Sequence, residues 1–233
     1  MIHFNEFNSS WWGEPVGIVV DPEFFNLSPD LRADHLKQYA WVEFRVPLGG
    51  SAPSLRDLHQ AGFYQFDTQI NYRLSFRGLQ KPSSLDELNV EFADEFPFAF
   101  LAEDVKSFEQ ERFSRLPGVS QRLVNQRYAL WGETHIKKHP STCLRVLYKE
   151  RVEGWYLADD TGKKGLNLTL AMLSKGSEIS GLLFFLKAYH AFAGRGHRLG
   201  WASFSVYNTA VHNIYAGIGA RFLNPWGYWL WAR

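Results

Sequence analysis

The sequence has a single cysteine, Cys143, among 233 residues. No intrachain disulfide can form, and a chain of this length buries enough surface to fold without one. Cysteine use of this kind points to a reducing compartment, so the protein is expected to be cytoplasmic. The start, MIHFNEFNSSWWGE, lacks the basic-then-apolar order of a secretory leader. Apolar runs such as Leu182–Leu186 fall far below the ~20 residues of a membrane span. Net charge is almost absent, at +1. Basic residues are scattered and form no short dense run, so a nucleic-acid partner is not favoured.

Aromatic side chains are abundant instead: 19 Phe, 10 Tyr and 9 Trp, or 16% of the chain. With 45% apolar and 21% charged residues, this composition excludes a disordered chain. The small net charge hides an asymmetry. Residues 86–111 hold nine Asp/Glu against Lys106 alone, whereas residues 112–198 hold 15 Lys/Arg against 6 Asp/Glu. A basic stretch of that kind suits either a polyanionic ligand or a solvated surface.

Period and punctuation give the elements. Strands are expected near Val16–Val20, Trp41–Val46 and Phe66–Phe76. Helices are expected near Pro29–Tyr39, with Ser28 or Asp30 as cap, and from Leu55 to Ala61, capped by Ser54 and stopped by Gly62. The polar stretch Arg77–Ser84 marks a boundary, giving a small α/β domain over 1–78 and a second domain over 85–233. The second begins with a strand at Asn89–Phe92 and helices near Ala102–Phe113 and Val119–His135. Three extended runs follow, Thr142–Tyr148, Gly154–Ala158 and Leu166–Leu173, the last two joined by a hairpin turn. An apolar helix over about Glu178–Ala193, a strand at Gly200–Val206, a helix at Thr209–Ala216 and an aromatic strand at Gly227–Trp231 close the chain. This order gives a mixed α/β (α+β) fold.

The stretch Asn208-Thr-Ala-Val-His-Asn-Ile-Tyr215-Ala-Gly-Ile-Gly219-Ala220 resembles the GNAT family of acyl-CoA-dependent N-acyltransferases: a strand, an Asn, a helix bearing a Tyr, then Gly. Asn208 and Tyr215 are two helical turns apart and share one face. Over nearly the whole chain the sequence is similar to the TDP-fucosamine acetyltransferases of bacterial surface-polysaccharide synthesis. Phe7-Asn-Ser-Ser-Trp-Trp-Gly13, Leu58-His-Gln-Ala-Gly62-Phe63, Glu111-Arg112-Phe113 and Tyr228-Trp229-Leu230 carry that likeness. The resemblance implies a GNAT fold with a mixed, mostly antiparallel sheet behind a small N-terminal α/β domain. It implies acetyl-CoA as co-substrate, the amine of a nucleotide-linked amino sugar as acceptor, and no metal. A homodimer is compatible with it.

The resemblance also distributes roles. Tyr215 takes the place of the general acid toward the CoA sulfur; a phenol, with a pKa near ~10, is protonated at neutral pH and can donate. Met172, Leu173, Ser177, Ile179, Ser180, Gly181 and Asn208 fall along the donor path, and Arg112, Trp155 and Trp229 on the acceptor side. Asn208 also suits a helix N-cap. GNAT enzymes open their long helix with a [Gln/Arg]-x-x-Gly-x-[Gly/Ala] loop, whose amides approach the pyrophosphate. Here the aligned residues are Gly176-Ser-Glu-Ile-Ser-Gly181: the last Gly is kept, Ile179 replaces the first, and Glu178 adds a negative charge. That departure keeps two other readings open, a GNAT-like binding or scaffold protein and an acyltransferase taking its acyl group from a carrier-protein thioester. Glu133, Glu153, Asp159 and Asp160 are candidate bases by position only.

Three remaining features have plain readings. His135 and His139 are spaced i, i+4 but lack the glutamate of a zinc-protease motif and precede Pro140. Cys143 reads as a buried structural thiol and Gly194-Arg-Gly196 as a helix stop.

Overall fold

The computed structural model describes residues 1–49, 53–106, 108 and 110–233. In chain order the elements are β1 (Ile2–Phe4), α1 (Glu6–Trp12), β2 (Val16–Val19), α2 (Pro29–Leu36), β3 (Trp41–Pro47), α3 (Leu55–Gln60), β4 (Tyr64–Ser75), β5 (Leu88–Phe92), α4 (Gln121–Lys138), β6 (Cys143–Tyr148), β7 (Arg151–Gly162), β8 (Gly165–Leu173), α5 (Gly181–Gly194), β9 (Leu199–Ser205), α6 (Thr209–Gly217) and β10 (Arg221–Ala232). They form two compact units, Met1–Ile70 with Asn224–Arg233, and Asn71–Leu223. The polar stretch Arg77–Ser84 lies inside the second unit, and most of β10 belongs to the first.

In the first unit β2 and β3 pair in parallel, while β1 pairs with β2 and β10 with β3 in antiparallel fashion. Ser28 caps α2 by accepting from the Leu31 N–H, with Pro29 in the first turn, and Ser54 forms a reciprocal capping box with Asp57 at α3. Phe24, Phe25, Phe44, Phe63 and Trp229 pack the core. Sequence pattern did not signal β1 or α1. The helix there is short and depends on its cap, Asn5, which accepts from the Asn8 N–H.

In the second unit β5, β6, β7 and β8 form an antiparallel run, and β9 pairs with β8 in parallel. Side chains alternate across β7. Tyr156 meets Phe184, Phe185, Tyr189 and Phe192 of α5 on one face, whereas Trp155 clusters with Ile136 of α4 on the other. Gly154 lets α5 come this close, because a Cβ there would lie 2.4 Å from the Met172 carbonyl oxygen and 2.8 Å from Phe184. Both hairpin turns of the run use left-handed residues that are not glycine, Lys149–Glu150 and Lys163–Lys164.

One expected helix is replaced. Among the described residues of 102–113 there is no α-helix; Ser107 and Glu109 lie outside them. Asp104 accepts from the Leu101 N–H, and the buried Val105 bridges to Ser174 beyond the end of β8, so this stretch is spent on the strand edge instead. A short 3-10 turn, Arg112–Arg115, follows. Among the described residues no helix is long and apolar enough to cross a membrane.

Candidate active site

The site begins with a parting of two strands. β8 and β9 pair only at Gly165, Leu166 and Asn167 against Leu199, Gly200 and Trp201. Just beyond, the register of β7 against β8 shifts from Leu157↔Leu170 to Ala158↔Leu168, leaving Thr169 as an extra residue. A bulge of this kind bends its strand away from a neighbour. The far end of the resulting gap is closed by the Val105 bridge, where the Lys106 N–H donates to the Leu173 carbonyl at 3.0 Å and the Lys175 N–H to the Asp104 carbonyl at 2.8 Å. Main-chain groups alternate in direction along a strand. Since Leu173 turns outward to Lys106, Ala171 also turns its N–H and C=O toward the gap, and Met172 turns toward β7.

Four tyrosines gather on the α5 side of this gap: Tyr72 from β4, Tyr156 from β7, Tyr189 from α5 and Tyr215 from α6. All four are buried. The Tyr156 and Tyr189 hydroxyls are 2.9 Å apart, and the Tyr72 and Tyr215 rings lie with centroids 4.1 Å apart. Phe185 and Phe204 pack edge-on and tilted against Tyr215. β4 and β7 flank the β9–β8 pair in the strand order. A phenol in reach of hydroxyls from both flanking strands therefore lies beneath the parting. Burial raises the Tyr215 pKa, while the hydroxyls of Tyr72, Tyr156 and Tyr189 pull it partly back. The phenol keeps its proton throughout the neutral range. Asn208 caps α6, accepting from the Val211 N–H at 3.1 Å, which fixes the helix that carries Tyr215.

The loop before α5 is built differently. Glu153 of β7 is fully buried. Its Oε2 accepts from the Glu178 N–H at 2.6 Å, the Ile179 N–H at 3.2 Å and the Ser177 hydroxyl at 2.9 Å. Arg151 donates to Glu153 Oε1 at 3.3 Å and to the Gly176 carbonyl at 2.7 Å, and pairs with Glu178 at 2.9 Å. Burial alone would raise the Glu153 pKa, but these hydrogen bonds hold it below the ordinary value. Ser180 caps α5 through the Leu183 N–H, and Gly181 lets Ile214 approach, since a Cβ there would lie 3.0 Å from its side chain.

The other expected residues are dispersed. The Met172 side chain is buried in the cluster with Trp155 and Ile136, and its main chain serves β7, so within the strand Leu166–Leu173, whose amides the resemblance assigns to the thioester, Ala171 is the neighbour of Met172 that faces the gap. Trp155 is itself 4% exposed and lies with its ring 5.1 Å from that of Phe100. Trp229 is 2% exposed in the core of the first unit, beside His59. Neither indole offers a free face to a ligand. Arg112 stacks over Phe113 with its guanidinium carbon 4.4 Å from the ring centre. The candidate bases are engaged elsewhere: Asp159 with His135 at 2.9 Å and His139 at 3.4 Å, Asp160 with the Gly162 N–H of the turn, Glu133 with Lys137, and Glu153 with the loop. Cys143 is buried, which pushes its thiol up to about 12. No group of three or more metal-ligating side chains occurs among the described residues.

No protein-family model matches the sequence, and no curated protein matches it. Solved structures do. A GCN5-related N-acetyltransferase from Sphaerobacter thermophilus superposes with a TM-score of 0.52 at 13% identity, over 82% of this chain and 59% of that one. A tandem GNAT protein of the clavulanic acid biosynthesis pathway gives 0.53 at 13% identity, over 94% and 76%. A GCN5-related glucosamine N-acetyltransferase region of a fungal multi-domain GH3 beta-N-acetylglucosaminidase gives 0.57 at 8% identity, over 99% of this chain and 31% of that one. The chain thus spans less than two thirds of the length of the first of these proteins and about a third of the last. At such identities the likeness is one of fold: the chain has the α+β GNAT fold, with a mixed sheet and helices.

Proposed function

We propose that the second unit transfers an acyl group from a thioester to an amine, with Tyr215 as general acid. The observation that carries this reading is the buried Tyr215 phenol beneath the gap where β8 parts from β9. A thioester laid along the gap would offer its carbonyl oxygen to the outward N–H of Ala171. The amine nitrogen attacks the carbonyl carbon, the C–S bond breaks, and the leaving sulfur takes the Tyr215 proton. The nitrogen loses a proton to solvent, and the phenolate recovers one, so the products are an amide and a thiol. The Tyr72, Tyr156 and Tyr189 hydroxyls steady the phenol and can spread charge as it moves its proton.

The acceptor we favour is the amino group of a nucleotide-linked amino sugar, as in surface-polysaccharide synthesis. The sequence likeness to TDP-fucosamine acetyltransferases supports it, as does the amino-sugar activity named for the fungal region. Acetyl-CoA is the donor the resemblance implies, but the loop before α5 does not fit its pyrophosphate, because Glu153 already holds the Glu178 and Ile179 amides. The same observation favours a second reading, a GNAT-fold protein that binds without transferring. Thiol release from acetyl thioesters, with amino sugar nucleotides as acceptors, separates the two. Acceptor-dependent release that drops in Tyr215→Phe supports the enzyme; no release from any thioester overturns it.

A further inference from the structure

The loop 176–180 leads into the N-terminus of a 14-residue helix, α5. Backbone amides in such a place attract an anion. This one already holds an anion supplied by the chain. The Glu153 carboxylate is fully buried and receives two loop amides and the Ser177 hydroxyl on one oxygen, with Arg151 on the other. A phosphate arriving at the Glu178 and Ile179 amides would have to displace a carboxylate that has no solvent to retreat to. It would also meet the Glu178 side chain, whose charge Arg151 already balances at 2.9 Å. Gly154, next to Glu153, admits Phe184 from the first turn of α5.

We infer that Glu153 is the resident anion of this loop, and that it selects a donor recognised without a pyrophosphate: an acyl thioester on a pantetheine arm. The inference rests on the acyl-transfer reading for the donor's identity, but not for the occupied seat. Free acyl-pantetheine and the arm of a carrier protein share that chemistry. Glu153 is a specificity residue that acts through the loop and touches none of the reacting atoms.

The test has two arms. In the first, inorganic pyrophosphate and adenosine 3′,5′-bisphosphate are titrated by calorimetry into the wild-type chain, Glu153→Gln and Glu153→Ala. The wild type is expected to bind neither at millimolar concentration, and Glu153→Ala to gain binding together with a rise in Tm on adding pyrophosphate. Wild-type binding that Glu153→Ala leaves unchanged overturns the occupied seat. Should Glu153→Ala fail to fold, the wild-type and Glu153→Gln titrations give the answer. The second arm compares kcat/KM for acetyl-CoA, acetyl-pantetheine and an acetylated carrier protein. Acetyl-CoA and acetyl-pantetheine are expected to agree within about threefold, since uniform binding energy from the nucleotide is not used. A preference for acetyl-CoA of more than about tenfold overturns the donor assignment. A preference for the carrier protein over acetyl-pantetheine identifies the source of the arm and supports it. Transfer from none of the three defeats the acyl-transfer reading and the donor assignment with it, whereas the first arm still judges the seat.

Discussion

The gap beside Ala171 and the loop before Gly181 are neighbours along one stretch of chain, yet they treat their polar groups in opposite ways. At the gap, a bulge at Thr169 parts two strands and turns main-chain groups of β8 away from β7, on the sheet that covers four buried phenols. At the loop, the Glu178 and Ile179 amides are already satisfied by a carboxylate from β7. One end is kept available and the other is filled. On the proposed reading, breaking a C–S bond and gripping a nucleotide would be separable in this fold, and this chain would retain the first without the second.

The largest effect should come from breaking the available end. Tyr215→Phe is expected to lower kcat by about 10²–10⁴-fold while leaving thioester affinity unchanged, as removal of a general acid does; steady-state kinetics against direct binding checks this, and an unaltered kcat retires the assignment. Breaking the filled end should appear as lost stability. Glu153→Ala strands two part-buried amides and the Ser177 hydroxyl, and should cost about 1–3 kcal/mol in denaturant unfolding, with Glu153→Gln costing less. Gly154→Ala sharpens the contrast, because its Cβ would press on the Met172 carbonyl and Phe184 together. A loss of about 1–3 kcal/mol is expected, with thioester turnover persisting in the folded fraction. The smallest effect lies in the exposed turn just before Arg151. Replacing Lys149–Glu150 with Asn–Gly relieves two left-handed residues and should raise stability by about 1 kcal/mol, read as a higher denaturant midpoint.

The parts that follow from short-range pattern were readable in advance. Ser28, Ser54 and Asn208 are caps in the structure as their residue types suggest, and the alternation around Phe66–Phe76 is a strand. The partners of Glu153 were not readable. Its loop partners lie 24 to 26 residues away, only Arg151 is near in sequence, and nothing local marks a β7 glutamate as buried. Val105 was hidden for the same reason: its surroundings suit a helix, and only the free end of β8, some seventy residues on, draws it into a bridge with Ser174. Trp229 shows the converse limit. An aromatic strand suits a sugar-binding wall and a packed core equally well, and burial beside Phe44 and Phe63 is what separates them.

The gathering of phenols has a consequence at high pH. Burial raises the pKa of Tyr72, Tyr156, Tyr189 and Tyr215, and that of Tyr128 on α4 as well. In the unfolded chain each would ionise near ~10. The folded state therefore holds protons that the unfolded state releases, so this contribution is whole below that pH and drains away as alkalinity climbs through the raised values. Five of the ten tyrosines would stay spectroscopically silent until the chain opens, then ionise together. Phenolate absorbance in strong alkali would thus report unfolding instead of titration, and the proposed acid of the reaction would help set the alkaline limit of the fold.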